Sequence, residues 1–216
     1  MSQIIGLLGV VLLLGSVLLV PGLLVRALYL AIRGRWGSLR RVFVFMGIYL
    51  AVYFVALAVS GLLMPRRIFA PAMPECFDDW CVAAISAAPA PGGDQACPPV
   101  PGERVWLATL EVSNAARGIR QRALDAVALL EDSAGHQYQT CAAPLPAPDG
   151  SRHALSDMLE LGGSFQVRQA FSLPAAYQPV GLVISHGAFP EVLIIGSDQG
   201  FLHARTLLKV DTQVGP

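Results

Sequence analysis

The first 67 of the chain's 216 residues contain no acidic residue and no cysteine. Two long stretches within them, from Met1 to Val25 and from Val42 to Met64, contain no charged residue at all. Ion pathways and proton relays need ionisable side chains inside the membrane, so these absences argue against transport by this chain alone. The whole chain also lacks a G-x-x-x-x-G-K-S/T loop and a dinucleotide fingerprint, which removes the common signatures of nucleotide binding.

The two uncharged stretches are themselves the strongest signal in the sequence. A helix needs about 20 apolar residues to cross a bilayer, and each stretch is long enough. The first could instead be a signal peptide, but its leading Met-Ser-Gln carries no charge and its apolar run exceeds a signal core. We interpret both stretches as retained transmembrane helices.

A basic loop at about residues 33–41 joins these helices. Arg33, Arg35, Arg40 and Arg41 lie in it, whereas the far end of the second helix has only the pair at 66 and 67. Because cytoplasmic loops carry the excess of Lys and Arg, these four arginines are the predicted topology determinants. They place both termini on the extracytoplasmic side of a bacterial cytoplasmic membrane, with a multi-pass chain.

The membrane part and the rest of the chain differ in charge, which indicates a domain boundary between them. Residues 68–216 hold eight basic and fifteen acidic residues, a net charge of −7 hidden by the overall charge of zero. Nucleic acid is therefore not an expected partner, since phosphate binding needs a basic footprint. We predict a two-helix anchor over 1–67, a tether over 68–75, an extracytoplasmic domain over 76–210 and a tail over 211–216.

All four cysteines, Cys76, Cys81, Cys97 and Cys141, lie in the exported part. An even number confined there indicates disulfides in an oxidising compartment, although buried free thiols are the alternative. Four cysteines allow three pairings. We favour Cys76 with Cys81, because they are close in sequence, and Cys97 with Cys141, because both lie in or beside loops.

Alternation of apolar and polar residues predicts an all-β fold after the anchor. The strands are expected over 82–88, 105–113, 124–130, 136–141, 165–173, 180–185 and 192–195, with a weaker one within 201–210. The clearest alternation places one set of side chains on a single face: Phe165, Val167, Gln169, Phe171 and Leu173. Short strands separated by turns and loops, without an amphipathic helix, indicate an antiparallel β-sandwich.

Little in this domain indicates chemistry. The four histidines, at 136, 153, 186 and 203, lack a ligand spacing. The run Gly196–Gly200 has its serine one place too early for a nucleophile elbow. Asp78, Asp79 and Asp94 could hold a divalent ion, but no D-x-D-x-D spacing follows. We expect no catalytic residue, no cofactor and no metal.

Several short motifs resemble the immunoglobulin-like extracytoplasmic domains of the DUF4352 type. The chain has a strand that ends in Asn114, then an L-x-D-x-x-G-x-x-Y run from Leu130 to Tyr138, and a strand that ends F-x-x-P at Pro174. Gly162-Gly163 replaces the usual Pro-Gly turn. The C-F-D-D-W-C box at 76–81 is similar to one that precedes such domains in bacterial membrane-attached proteins. The resemblance covers about residues 76–186 and implies a fold, since the family has no assigned catalytic residues.

The expected function is therefore that of a non-catalytic, membrane-anchored interaction module that binds another envelope protein. One alternative is an extracytoplasmic small-ligand or divalent-metal sensor that uses Asp78, Asp79 and Asp94. Another is a subunit of a membrane complex, in which Gly6, Gly9 and Gly15 let a partner helix approach the first span.

Overall fold

Residues 2–77, 79–90, 97–98, 100–186, 191–195 and 200–212 are described by the computed structural model of the chain. They belong to two units. One combines Met1–Arg66 with Ala188–Ala204, and the other combines Arg67–Gly187 with Arg205–Pro216. The first unit is helical and the second is built from strands.

The helical unit contains α1 (Ser2–Ile32) and α2 (Trp36–Leu63). Their apolar spans, Gly9–Ile32 and Trp36–Leu63, are long enough to cross a bilayer, yet few of their residues are buried: Gly9, Ala27 and Leu30 in the first, and Val42, Leu57 and Gly61 in the second. The helices contact each other along one side, where the hydroxyls of Ser16 and Tyr49 lie 2.6 Å apart. The two long apolar helices predicted from the sequence are confirmed, and most of their surface faces away from protein.

Gly34 determines the conformation of the turn between the helices. Its φ of +65° is the left-handed conformation that ends many helices. The N–H of Gly34 donates to Ala31 and the N–H of Arg35 donates to Leu30, at 3.0 and 2.9 Å. This pair of bonds is the Schellman arrangement, and it leaves only three residues between the helices. A connection this short makes the two helices antiparallel neighbours.

The second unit is an immunoglobulin-like β-sandwich. The strands of the described residues are β1 (Ile68–Phe69), β2 (Glu75–Phe77), β3 (Trp80–Pro89), β4 (Glu103–Asn114), β5 (Val127–Asp132), β6 (Gln137–Gln139), β7 (Ser164–Pro174), β8 (Pro179–Ser185), β9 (Leu207–Lys209) and β10 (Asp211–Thr212). One sheet has the order β1-β9-β8-β5-β6, and the other has β10-β3-β4-β7 with β2 on β3. The long pairs are antiparallel, whereas the short edge pairs β1–β9 and β10–β3 are parallel.

The core lies between the inner faces of the two sheets. Every second residue of β4 and β7 points into it, as the alternation predicted, and Trp106 and Phe171 are its largest members. Leu130 of β5 and Leu182 of β8 meet them from the other sheet. Burying a large apolar side chain contributes about 1.5–3 kcal/mol, so Trp106 and Phe171 each make a substantial contribution to the stability of the sandwich.

The end of the chain differs from the sequence prediction. The expected strand at Val192–Ile195 is instead a short 3-10 turn, Glu191–Leu193, which groups with the helical unit. A run of four apolar residues fits a buried strand and a buried turn equally, and its contacts with the helices favour the turn. The sandwich also reaches beyond the predicted 76–210, because β1 and β10 add residues from the expected tether and tail.

Candidate functional site

The Cys76–Cys81 box forms a hairpin at one edge of the sandwich. The two cysteines face each other across β2 and β3 and are joined by a disulfide. On the next register position Phe77 stacks on Trp80 with ring centroids 4.8 Å apart, and His186 meets the Phe77 ring edge-on at 4.4 Å. Trp80 is a core residue, and the box is a structural element.

The acidic residues of the metal alternative are only partly described. Asp78 and Asp94 lie outside the described residues. The carboxylate of Asp79 accepts a hydrogen bond from the side chain of Gln121 at 3.1 Å, and its carbonyl accepts one from Ala115 at 2.7 Å. Within the described part of the chain, no three His, Cys, Asp or Glu side chains are close enough to hold an ion.

The second disulfide joins Cys97 to Cys141, the pairing favoured from the sequence. It lies over the outer face of the second sheet, where Leu107 and Ala170 are buried with Cys97. After β6 the chain leaves the first sheet, and Cys141 donates its N–H to Ala170 of β7 at 3.0 Å. The disulfide therefore covers a small secondary core on the outside of the sandwich.

Asn114 organises the loops at one end of the sandwich. It is only 6% exposed, and its side-chain amide lies 3.0, 3.3 and 3.1 Å from the carbonyls of Ile119, Leu159 and Glu160. Its side-chain oxygen accepts from the N–H of Ala116 at 2.8 Å. One side chain thus joins the loop after β4 to the loop before β7, which gives the strand-ending asparagine of the sequence motif a physical role.

These two loops and the first residue of β5 expose a set of large apolar side chains, which we call the apolar end. Its members are 45–65% exposed: Ile119, Leu124, Val127, Met158 and Leu161. Scattered apolar residues on a surface are ordinary, but grouped ones mark binding surfaces. Arg120, next to Ile119 in sequence, pairs with Glu160 at 2.8 Å, so its charge is partly neutralised.

A cleft of about 270 Å³ opens beside the apolar end. Leu124, Val127 and Leu155 line it, and so does Gln169 of β7. Gln169 is 8% exposed, and its side-chain oxygen has no hydrogen-bond partner within the described residues. Sequence reasoning missed this residue as a site candidate, although a glutamine on the apolar face of a strand is the signal that could have found it.

The hairpin between β5 and β6 is built on a buried carboxylate. Asp132 accepts hydrogen bonds from the Tyr138 hydroxyl at 2.8 Å and from the N–H groups of Ala134 and His136 at 2.8 and 2.9 Å. Burial alone would raise the pKa of Asp132, but these hydrogen bonds outweigh it and lower the pKa. Burial and the bond to Asp132 raise the pKa of Tyr138 to about 12. Asp132 and Tyr138 belong to the L-x-D-x-x-G-x-x-Y motif, whose role here is structural.

Three of the four histidines make separate polar contacts. His136 Nδ1 lies 3.2 Å from Asp132, and His153 Nδ1 lies 3.3 Å from Asp157. His203 belongs to the helical unit, where its Nδ1 lies 3.3 Å from the carbonyl of Gly61. The structure does not bring these side chains together. Residues 196–199 of the rejected nucleophile elbow lie outside the described residues.

The four predicted topology determinants all lie at the short turn between the helices. Arg33 follows α1 and stands 5.5 Å over the Tyr29 ring, while Arg35 directly precedes α2. Arg40 and Arg41 lie in the first turns of α2. All four side chains are exposed, so their charges are concentrated at one end of the helix pair.

No family model and no curated protein matches the chain. Similar solved structures include an uncharacterised β-sandwich protein from Clostridium difficile 630 (9% identity, 56% of this chain, 88% of that chain, TM-score 0.40). Others are the secreted protein MPT63 of Mycobacterium tuberculosis (16%, 57%, 92%, 0.40) and a conserved hypothetical protein from Bacillus anthracis (12%, 54%, 88%, 0.40). Because these TM-scores lie below 0.5, the sandwich assignment rests on the strand pairing of this chain.

Proposed function

We propose that this protein is a membrane-anchored, extracytoplasmic interaction module without catalytic activity, and that its sandwich binds another envelope protein. The observation that carries the proposal is the exposed surface of the two helices. Spans of 24 and 28 residues with mean hydropathies of 2.3 and 2.5 are almost entirely unburied. A core helix of a soluble protein would be covered, so a lipid bilayer is the environment that fits these helices.

Packing between the helices supports a retained hairpin over a cleaved signal peptide. Ala27 and Leu30 of α1 are buried against Val42 of α2, and the Ser16–Tyr49 hydrogen bond joins the helices at mid-length. Removal of α1 would expose these contacts and leave the Tyr49 hydroxyl without its partner in lipid. A multi-pass anchor is therefore the better account of the helical unit.

Two features support an orientation with the sandwich outside. Four exposed arginines concentrate at the turn between the helices, as the inner side of a membrane protein requires. Both disulfides lie in the sandwich, and disulfides persist on the oxidising side of a bacterial membrane. The two features are independent of each other and agree.

The DUF4352 resemblance is part of the same proposal. The residues that carry it have structural roles, since Asn114 joins two loops and Asp132 with Tyr138 holds a hairpin. These buried polar side chains need their partners because an unpaired buried polar group is costly. A family that shares these motifs would therefore share this loop geometry, whatever its members bind.

The apolar end is the proposed binding surface. Loops at the ends of immunoglobulin-like sandwiches are suited to binding, and this pair is held in one conformation by Asn114. Ordered loops that expose apolar side chains lose little entropy on binding, which favours a protein partner. A protein partner that displaces water from this surface would cover Ile119, Leu124 and Met158.

The test is photocrosslinking in cells. A photoreactive residue at Ile119, Leu124 or Met158 should crosslink to one recurrent protein, identified by mass spectrometry. Val100 serves as the matched control, because it is 47% exposed but lies beside the start of β4, at the far end of that strand from Asn114. Equal crosslinking from Val100, or none from the apolar end of an exported and folded protein, would contradict the proposal.

A second candidate function is favoured by the cleft. The unpartnered oxygen of Gln169 inside a partly apolar cleft of about 270 Å³ suits a small ligand with one hydrogen-bond donor. A ligand that binds only the folded state raises the melting temperature. A small-molecule panel should then stabilise the native protein but not Gln169→Leu, and equal shifts in both would remove this candidate.

A further inference from the structure

The segment Glu191–Ile195 returns to the helices between β8 and β9. Its backbone meets α2 at mid-helix, where the Tyr53 hydroxyl donates a hydrogen bond of 2.6 Å to the carbonyl of Leu193. The chain then closes on itself, since the N–H of Phe201 donates to the carbonyl of Val192 at 3.1 Å. These contacts lie within the helical unit and do not involve the sandwich.

Two glycines allow the backbones to touch. A side chain at Gly9 of α1 would overlap the carbonyl of Ile195, and one at Gly61 of α2 would overlap the carbonyl of Phe201. Glycine lets a backbone approach a membrane helix closely, and His203 adds a contact of 3.3 Å to the carbonyl of Gly61. The same helices contain glycines with nothing within 4 Å, at 15 and 47, so these two do not make the close approach seen at Gly9 and Gly61.

The contacts differ in depth along α2. A helix rises about 1.5 Å per residue, so Tyr53 lies ~15 Å from the end of α2 at Leu63 and Gly61 only ~3 Å from it. A hydrocarbon core about 30 Å thick, centred on α2, would contain Tyr53 and end near Gly61. Leu193 is thus the deepest contact, while Phe201 and His203 lie at the outer edge.

The composition of the segment suits this depth. Val192, Leu193, Ile194 and Ile195 are consecutive apolar residues. Irregular backbone is tolerated at membrane depth only where protein covers it or it lines a water-filled cavity, and its polar groups must be satisfied there. The close approach of Ile195 to Gly9 covers one side of this backbone with α1. The Tyr53 hydroxyl satisfies the carbonyl of Leu193, and the Phe201 N–H satisfies that of Val192.

We propose that Val192–Ile195, the apolar part of this segment, is a re-entrant membrane element that enters the outer leaflet, contacts lipid acyl chains and is held by Gly9 and Tyr53, while Gly61 holds the returning chain at Phe201. The inference rests on the proposed membrane anchor and adds a third membrane-embedded part to it. The chain passes between the two units at three places, near 66, 187 and 204. The element therefore fastens the sandwich to the bilayer through the β8–β9 connection as well as through the end of α2.

The test uses a single thiol in the full chain. Ile194→Cys should react with a membrane-impermeant maleimide on intact cells at least about tenfold more slowly than Val100→Cys, because lipid excludes the reagent. Without reductant the four native cysteines stay silent as disulfides. Rapid labelling at both positions overturns the re-entrant element and leaves the anchor standing. Absent labelling at Val100→Cys overturns the orientation of the anchor, and the element with it.

A bimane probe on the Ile194→Cys thiol separates lipid contact from burial in protein. Doxyl groups on outer-leaflet acyl chains should quench it, and aqueous iodide should not. Quenching by neither would overturn the contact with acyl chains, and quenching by iodide alone would overturn insertion.

Glycine variants test how the element is held. Gly9→Leu and Gly61→Leu should raise the labelling rate of Ile194→Cys roughly tenfold or more, because the added side chain displaces the segment. Gly15→Leu and Gly47→Leu are the matched controls, with open space at the same residue type in the same helices. Tyr53→Phe should give a rise of roughly tenfold by leaving the Leu193 carbonyl unpaired. An equal response of all four glycine variants would contradict the proposed contacts.

Discussion

At the scale of single residues, the most consequential group in the sandwich is the carboxylate of Asp132. It is 1% exposed and accepts hydrogen bonds from two backbone N–H groups and from Tyr138. Asp132→Asn replaces one acceptor oxygen by a donor that faces the Tyr138 hydroxyl. We expect the free energy of unfolding at pH 7 to fall by about 2 kcal/mol, the range for a hydrogen bond to a charged group. Urea unfolding followed by the fluorescence of buried Trp106 measures it.

The direction of the pKa shift predicts how the stability difference between wild type and Asp132→Asn changes with pH. The folded pKa of Asp132 lies below its unfolded value, so its stabilisation is complete above about pH 4 and is lost as the pH falls through the folded pKa. Asn cannot titrate, so the stability gap between wild type and Asp132→Asn should narrow in acid. Asp149→Asn is the control, since that carboxylate lies in an exposed turn with Ser151, and its effect should be smaller. A gap that stays constant down to about pH 2 would contradict the role of the charge.

At the scale of elements, the two disulfides should differ in what they contribute. Cys97 and Cys141 are 44 residues apart, whereas Cys76 and Cys81 are five apart. The chain-entropy model gives about 4 kcal/mol for the longer loop and about 2 kcal/mol for the shorter one. The double variant Cys97→Ala/Cys141→Ala should therefore lower the free energy of unfolding about twice as much as Cys76→Ala/Cys81→Ala.

Denaturant unfolding of the two double variants ranks the disulfides directly, and each variant is the control for the other. The longer loop also covers Leu107 and Ala170 on the outer face of the second sheet, so its loss should expose that small core to solvent. An equal or reversed ranking would show that loop length does not govern the effect.

The strands show which elements a sequence can specify. β4 and β7 were predicted because eleven or twelve alternating residues give a clear period of two. β9 lies within the weaker strand expected over 201–210. β1 and β10 have two residues each and exist through partners far away in sequence, such as Ile68 with Leu207. Such pairings leave no local pattern. The apolar run at Val192–Ile195 failed for the same reason, because its contacts with the helices decide its conformation.

Some parts of the candidate site could likewise be predicted from the sequence, and others could not. The disulfide pairing followed from spacing and loop position. The apolar end did not follow, because Asn114 joins the loops that carry Ile119 and Met158, which are far apart in sequence. Sequence patterns describe neighbours along one strand, whereas this surface is made by two loops about 40 residues apart.

At the scale of the whole molecule, orientation in the membrane decides where the sandwich works. Residues 1–67 contain seven arginines and no acidic residue. The charges at the two ends of the helix pair therefore differ only in the number of arginines at each end. Replacing Arg33, Arg35, Arg40 and Arg41 by Ser leaves Arg26 near the inner end against Arg66 and Arg67 at the outer end. Since the excess of basic residues sets the orientation, we expect a substantial fraction of this variant to insert with the sandwich in the cytoplasm.

The cysteines report the result without any added label. In the cytoplasm thiols stay reduced, so molecules inserted in the inverted orientation should carry four free thiols that react with a permeant alkylating reagent. Arg66→Ser/Arg67→Ser is the control, because it increases the bias and should leave the cysteines oxidised. If the fourfold variant keeps its disulfides and its sandwich remains sensitive to protease added to spheroplasts, the arginines of the turn do not set the orientation. The length of the exported domain would then be the stronger determinant, since long domains translocate largely regardless of charge.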